Sequence, residues 1–161
     1  MSFTNYSDLK TTVANYLARN DLTTQIPDFI RLAEIRMRRE LRIRQMLKSV
    51  TTSTTNGDST VQLPADFLEV RDMIITGNPA RPLSYSSPSA FSRNARTTIL
   101  GYPSDYTILA SEFQLAPIPD SNYTVKLLYF AAPTLLSDSN SSNEFLANVP
   151  DMLLYASLIE A

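Results

Sequence analysis

The chain contains no cysteine, no histidine and no tryptophan, and only three glycines in 161 residues. Without thiols there is no disulfide, no thiolate nucleophile and no zinc site of the Cys/His kind; without imidazole there is neither a histidine base nor a Ser-His-Asp triad. None of the glycines belongs to a loop of the kind that cradles phosphate. Any reaction would fall to carboxylates, lysine, tyrosine or an oxygen-ligated metal, so no catalytic residue, no cofactor and no metal site is expected. No apolar run approaches the roughly 18 residues that cross a bilayer, and the opening MSFTNYSDLK lacks the basic and apolar regions of a signal peptide. These absences predict a soluble, unprocessed protein that does not engage a membrane.

What is present is a 43% hydrophobic chain, long enough to bury one sizeable core. The expectation is one domain with an inserted lobe. Its net charge of −2 hides a division. Residues 1–48 hold nine Lys and Arg against five Asp and Glu, and residues 49–161 hold five against eleven. A dipolar chain of this kind suits head-to-tail or partner contacts better than generic nucleic-acid binding.

Apolar Leu9, Val13, Tyr16 and Leu17 recur at helical spacing behind Ser7-Asp8, which predicts a helix over 7–19 capped by Ser7 and ended by Asn20-Asp21. Pro27 and Asp28 suit the first turn of a second helix running without a breaker to about Leu47. Together they predict an αα-hairpin. From residue 49 the texture turns β-branched: 49-SVTTSTTNGDSTVQLP-64 places Asn56-Gly57 where a two-residue hairpin turn is expected. FLEVRDMIIT (67–76) reads as a strand, Arg81 to Tyr85 as a short one, and Ser87-Pro88 as the start of a helical turn through Arg93. YTILA, EFQLAP and YTVKLLYFA, with Pro119 to Asn122 as a connecting turn, predict an antiparallel meander. SDSNSSNEF (137–145) reads as a loop, and a last helix starts near Asn148-Val149-Pro150-Asp151. Its apolar pattern stops at Ala161 without a cap, from which related chains are expected to continue further. The fold class is therefore α+β: a helical hairpin (1–48), a β-rich inserted lobe (49–136), and a loop with a returning helix (137–161) that completes a helical body.

The most charged stretch, 30-IRLAEIRMRRELRIRQML-47, carries six arginines in eighteen residues. Ile30, Ala33, Met37 and Leu41 share one face and Arg31, Arg38 and Arg42 another, while Glu34 with Arg38 and Glu40 with Arg44 have the favourable i,i+4 order. Three readings stay open: a solvated, internally paired face; a subunit or partner interface using Arg31, Arg38, Arg39 and Arg42 against carboxylates; or a nucleic-acid-binding module using the same arginines. No aromatic is interleaved between Phe29 and Leu47, and no known nucleic-acid motif surrounds the helix. The aromatics of the β lobe, Tyr85, Phe91, Tyr102, Tyr106, Phe113, Tyr123, Tyr129 and Phe130, read as core and strand-pairing residues with interface anchors as the alternative. Asp66, Glu69 and Asp72 lie close together, but a regular strand would put Glu69 on the face opposite the other two. They make a weak carboxylate or metal site, and with Asp58 and Glu112 they are what a carboxylate-based hydrolase would have to use.

Collinearity adds what no single motif carries. YSDLKTTVANYLAR, DLTTQIPDFIRLAE, RMRRELRIRQM, LPADFLEVRDM, RPLSYSSPSAF, FQLAPIPDSNYTVKLLYFAAP and NEFLANVPDMLLYASLIEA follow one another in an order that resembles the head-to-tail adaptor (connector) proteins of tailed bacteriophages. The resemblance spans nearly the whole chain. It implies a non-enzymatic structural virion protein of the neck, assembled in the host cytoplasm as a homo-oligomeric ring, commonly a dodecamer. That ring would join the portal protein to tail tube or nozzle proteins and surround passing DNA without sequence-specific binding. It also implies a C-terminal segment that grips the portal.

Overall fold

The computed structural model describes residues 4–19, 21–77 and 79–161. In chain order the elements are α1 (Tyr6–Leu17), α2 (Ile26–Glu40), a 3-10 turn (Arg44–Met46), β1 (Leu47–Ser53), β2 (Thr60–Gln62), β3 (Phe67–Ile75), β4 (Arg81–Pro82), β5 (Ser84–Tyr85), α3 (Pro88–Ser92), a second 3-10 turn (Ala95–Thr98), β6 (Leu100–Gly101), β7 (Asp105–Leu109), β8 (Glu112–Ala116), β9 (Ile118–Pro119), β10 (Thr124–Ala131), α4 (Glu144–Asn148) and α5 (Pro150–Ile159). Helices and largely antiparallel sheets make an α+β protein. They fall into two compact units, one built from the segments up to Met46 and from Ala132 onward, the other from Leu47–Ala131.

In the helical unit, α1 begins one residue ahead of the predicted 7–19 range, and its cap stands two residues before Ser7. Asn5 is the cap: its side-chain oxygen accepts from the Asp8 N–H at 2.9 Å and its amide donates to the Asp8 carboxylate at 2.9 Å. The helix closes on Ala18, a left-handed residue (φ 51°), so it ends short of residue 19; of the expected Asn20-Asp21 stop, Asn20 lies outside the described residues.

The larger correction concerns α2, which ends at Glu40 rather than near Leu47. Leu41 is extended, and the Arg42 guanidinium folds back to donate to the carbonyls of Leu41 (2.7 Å) and Arg38 (3.0 Å), satisfying acceptors that a continuing helix would have used. Seven residues with good helix propensity are recruited elsewhere: Met46 is buried, and Leu47 opens a strand paired with Phe130. The unit's core joins Leu9 and Val13 of α1, Ile26, Ile30, Ala33 and Met37 of α2, Phe145 and Leu146 of α4, and Leu153 and Leu154 of α5, with α5 packed against both α1 and α2. α4 begins at the end of the segment read as a loop (137–145) and fills the stretch up to the expected start of the last helix, because Asn143 caps it by accepting from the Leu146 N–H at 3.0 Å.

The β unit holds two four-stranded sheets, ordered β1-β10-β3-β4 and β2-β8-β7-β5, with a short parallel pair of β6 and β9. Tyr106, Phe113, Leu115, Val125, Leu127 and Tyr129 form its core with Met73 and Ile75. The β7–β8 hairpin is antiparallel as expected, but β10 does not complete a meander; it inserts between β1 and β3 of the other sheet. The Asn56-Gly57 turn forms, with Gly57 at φ 78°, yet β1 and β2 on either side of it belong to different sheets. The chain turns a corner there because the 119–123 segment takes its hydrogen bonds: Gly57 N–H donates to the Pro119 carbonyl at 2.8 Å, Asn56 N–H to the Asn122 side chain at 2.9 Å, and Thr54 N–H to the Tyr123 carbonyl at 2.9 Å. β3 is the strand expected, but its register against β10 shifts twice, so the alternation used to place Asp66, Glu69 and Asp72 does not hold along it. The 81–85 strand is broken into β4 and β5, which pair in different sheets.

Candidate assembly surface on the arginine-rich helix

α2 presents four different surroundings to its side chains. Ile26, Ile30, Ala33 and Met37 face the core. Beside them lies Glu34, read from the sequence as an exposed partner for Arg38 but only 1% exposed. Its carboxylate accepts the Leu136 N–H at 3.1 and 3.2 Å and the Asn143 amide at 2.6 Å. Asn143 also donates to the Thr134 carbonyl at 2.8 Å and, through its oxygen, caps α4. One acid thus ties α2 to the 134–143 segment and to the start of the next helix. Burial raises the Glu34 pKa above the ordinary carboxylate range, opposed by the Asn143 and Leu136 hydrogen bonds and the Arg38 charge.

Arg38 sits next to this acid, half-buried, donating to the Pro133 carbonyl. Its Nε is buried without a hydrogen-bond partner, and burial lowers its pKa against the pull of Glu34 and Glu144. On the opposite flank Arg36 bridges Glu40 and Glu160, each at 3.2 Å, so the i,i+4 pair for Glu40 runs back to Arg36 instead of forward to Arg44. With Lys10 on Asp138 at 2.8 Å, two acids of the C-terminal segment, Asp138 and Glu160, are paired with cations of the basic N-terminal one. The division of charge along the sequence therefore closes inside this unit, whose two segments together hold eight Lys and Arg against nine Asp and Glu.

The outer face carries Asp28, Leu32, Ile35 and Arg39, with Arg31 at its edge, all solvent-exposed except that Ile35 is only just so. Of the four arginines singled out from the sequence, Arg31 and Arg38 flank one shallow hollow with Thr134, Leu135, Leu136 and Ser137. Arg39 and Arg42 lie outside it, and the Arg42 guanidinium is engaged at the helix end. Among the described residues neither Arg31 nor Arg39 has a side-chain partner. The burial of Glu34 and the capping role of Asn143 escaped the sequence reading. Glu34 falls on the edge of the Ile30/Ala33/Met37 arc, and Asn143-Glu144 has the form of a helix cap, which are the two signals that could have found them.

Elsewhere, Asp66 accepts from Lys48 at 2.9 Å and from the Tyr129 hydroxyl at 2.8 Å. Burial would raise its pKa, but these two partners hold it below the usual value, while burial and the Asp66 hydrogen bond push Tyr129 up to about 12. Among the described residues no His, Cys, Asp and Glu cluster is arranged to hold a metal ion, and no helix is long and apolar enough to cross a membrane.

A nucleic-acid role for α2 would rest on its free guanidinium groups. With Arg31 and Arg39 as the two unengaged ones, DNA affinity should fall with salt along a log–log slope of only about −2, following a per-phosphate slope of about −0.9. A titration at several salt concentrations checks this, and a slope near −4 would mean that Arg38 and Arg42 leave their intramolecular partners to join in.

Over residues 4–161 the chain matches the family model described as SU10 adaptor protein. No curated protein matches it. The chain belongs to that family, one of phage head-to-tail adaptors, structural virion proteins that work through contacts with other virion components.

Proposed function

We propose that the protein is a ring-forming adaptor that joins the portal to the tail and surrounds the DNA exit channel, without enzymatic activity. The observation that carries this reading is the family match over nearly the whole chain. The helical hairpin of α1 and α2 with the returning α5 acts as the body of each subunit, the β unit as its inserted lobe, and twelve copies as the ring. The partners are the portal protein on one side and tail tube or nozzle proteins on the other, met in the host cytoplasm during assembly, with DNA passing through the ring without sequence readout. Arg31 and Arg39, without a side-chain partner among the described residues, serve as contacts between subunits; Arg38 and Arg42 shape the same region by holding the Pro133 carbonyl and the helix end. A cyclic, heterologous interface would bring two different surfaces of neighbouring copies together.

The experiment is reconstitution with a portal protein and a tail protein from a phage that carries this adaptor. Electron microscopy of the mixture is expected to give ring-shaped particles with the adaptor seated on the portal. Failure to bind either a portal or a tail protein sinks the reading, whereas a monomer in isolation does not, since template-dependent rings form only on their platform.

A further inference from the structure

Two helices of the same unit leave apolar stripes uncovered. On α2, Leu32 is 49% and Ile35 37% exposed, and on α5, Met152 is 45%, Tyr155 58% and Ile159 72% exposed. Each stripe follows the helical repeat, and each is opposite its helix's buried side: Leu32, Ile35 and Arg39 at i, i+3, i+7, and Met152, Tyr155 and Ile159 at the same intervals. The charges flanking them are opposite in sign. Arg39 ends the α2 stripe and Asp151 begins the α5 stripe, and neither has a side-chain partner among the described residues. The two stripes are also equally long, about 10.5 Å at roughly 1.5 Å per residue.

We propose that the α2 stripe of one copy packs antiparallel against the α5 stripe of a second copy, with Ile35 against Tyr155, Leu32 against Ile159, and Arg39 beside Asp151. Direction follows from the charges. A parallel alignment would pair Leu32 with Met152 and Ile35 with Tyr155 but set the Arg39 charge on apolar Ile159; the antiparallel one gives Ile159 an apolar partner in Leu32 and sets Arg39 at the N-terminus of α5, where its acid meets a cation. Because the stripes are different surfaces, using each once makes a head-to-tail contact that propagates from copy to copy. This inference rests on the ring reading and names the surfaces that build it.

The cysteine-free sequence gives a clean background for the test. Ile35→Cys and Tyr155→Cys proteins, full length, are oxidised with diamide separately, mixed, and combined in one chain. The mixture is expected to yield a covalent dimer that neither single variant gives alone, and the double variant a ladder beyond the dimer. Asp151→Arg should lower the crosslinking yield about threefold to tenfold, and adding Arg39→Asp should restore it. No crosslink at any concentration, with the portal protein present as well as without it, or a double variant that stops at dimer under both conditions, overturns the head-to-tail contact. Locating the protein in purified virions separates the two ideas. Its presence at the neck without the crosslink leaves the adaptor reading standing and this contact refuted; its absence from the virion refutes the adaptor reading, and the contact with it as a ring interface.

Discussion

Replacing Glu34 by alanine should lower the stability of the helical unit by about 3 to 5 kcal/mol at neutral pH, the larger of the surface-to-core effects expected around α2. The acid is 1% exposed and accepts three hydrogen bonds from two donors, the Leu136 N–H and the Asn143 amide. Truncation leaves the Leu136 N–H and one of the two Asn143 amide hydrogens buried without an acceptor, and it strips Arg38 of the stronger of the two charges that offset its own burial. Asn143 is also the cap of α4, so its release should loosen that helix as well. Far-UV circular dichroism at the helix minimum, followed through urea unfolding, reads this unit selectively. A loss below about 1 kcal/mol would mean that the buried acid holds nothing together.

The same residue sets a pH dependence with a definite sign. Its folded pKa is raised, chiefly by burial, so its ionisation is harder in the native state than in the unfolded chain. The neutral form's share of stability is complete below the unfolded value and is lost as pH rises through the folded one. Wild-type protein should therefore lose stability across that window relative to Glu34→Gln, which keeps an acceptor oxygen and has no proton to release. Parallel pH profiles for the two proteins would contradict the assignment of the shift to burial.

In the β unit, Phe113→Ala should cost about 3 to 5 kcal/mol. The ring is 1% exposed and meets Phe67 edge-on at 5.6 Å between centroids and Tyr106 at 5.9 Å. It also lines an apolar pocket of about 230 Å3 with Val50, Val61, Met73, Leu115 and Leu127. Space already present beside the ring leaves little for neighbours to collapse onto, so the loss should lie toward the top of the range. The chain has no tryptophan, and tyrosine emission and near-ultraviolet dichroism from Tyr106 and Tyr129 report on this core. If the units unfold independently, Glu34→Ala and Phe113→Ala should add to within about 0.5 kcal/mol in the double variant.

Local signals in the sequence carried local structure. Ser87-Pro88 opens α3 with Ser87 as its cap, FLEVRDMII is β3, Pro27 lies in the first turn of α2, and Pro150 starts α5. What was not legible depends on segments far away in sequence. Nothing near Leu41 says that the helix must stop; the reason is that Met46 is wanted in a core and Leu47 in a ladder with Phe130. Asn56-Gly57 announces a turn correctly, but whether its flanking strands pair with each other or with β8 and β10 is decided by the 119–123 segment. Alternation along β3 fails because two register shifts are invisible without its partner. At the candidate surface, Arg31, Arg38 and Arg39 lie on α2 while Arg42 falls past its end, and it is the Pro133 carbonyl and the helix's own last carbonyls that engage Arg38 and Arg42.

The helical unit is assembled from two pieces of chain separated by the 85 residues of Leu47–Ala131. During synthesis at about 5–20 residues per second, the first 46 residues wait roughly 6 to 23 s before α5 is complete. Through that interval α1 and α2 have their apolar sides uncovered, and Glu34 has neither Leu136 nor Asn143 to accept from. The β unit, continuous in sequence, can close meanwhile. Each new copy therefore finishes its Lys10–Asp138 and Arg36–Glu160 contacts only after the 132–160 segment has been made, so that the support α2 draws from that segment comes last, after the β unit has had time to close.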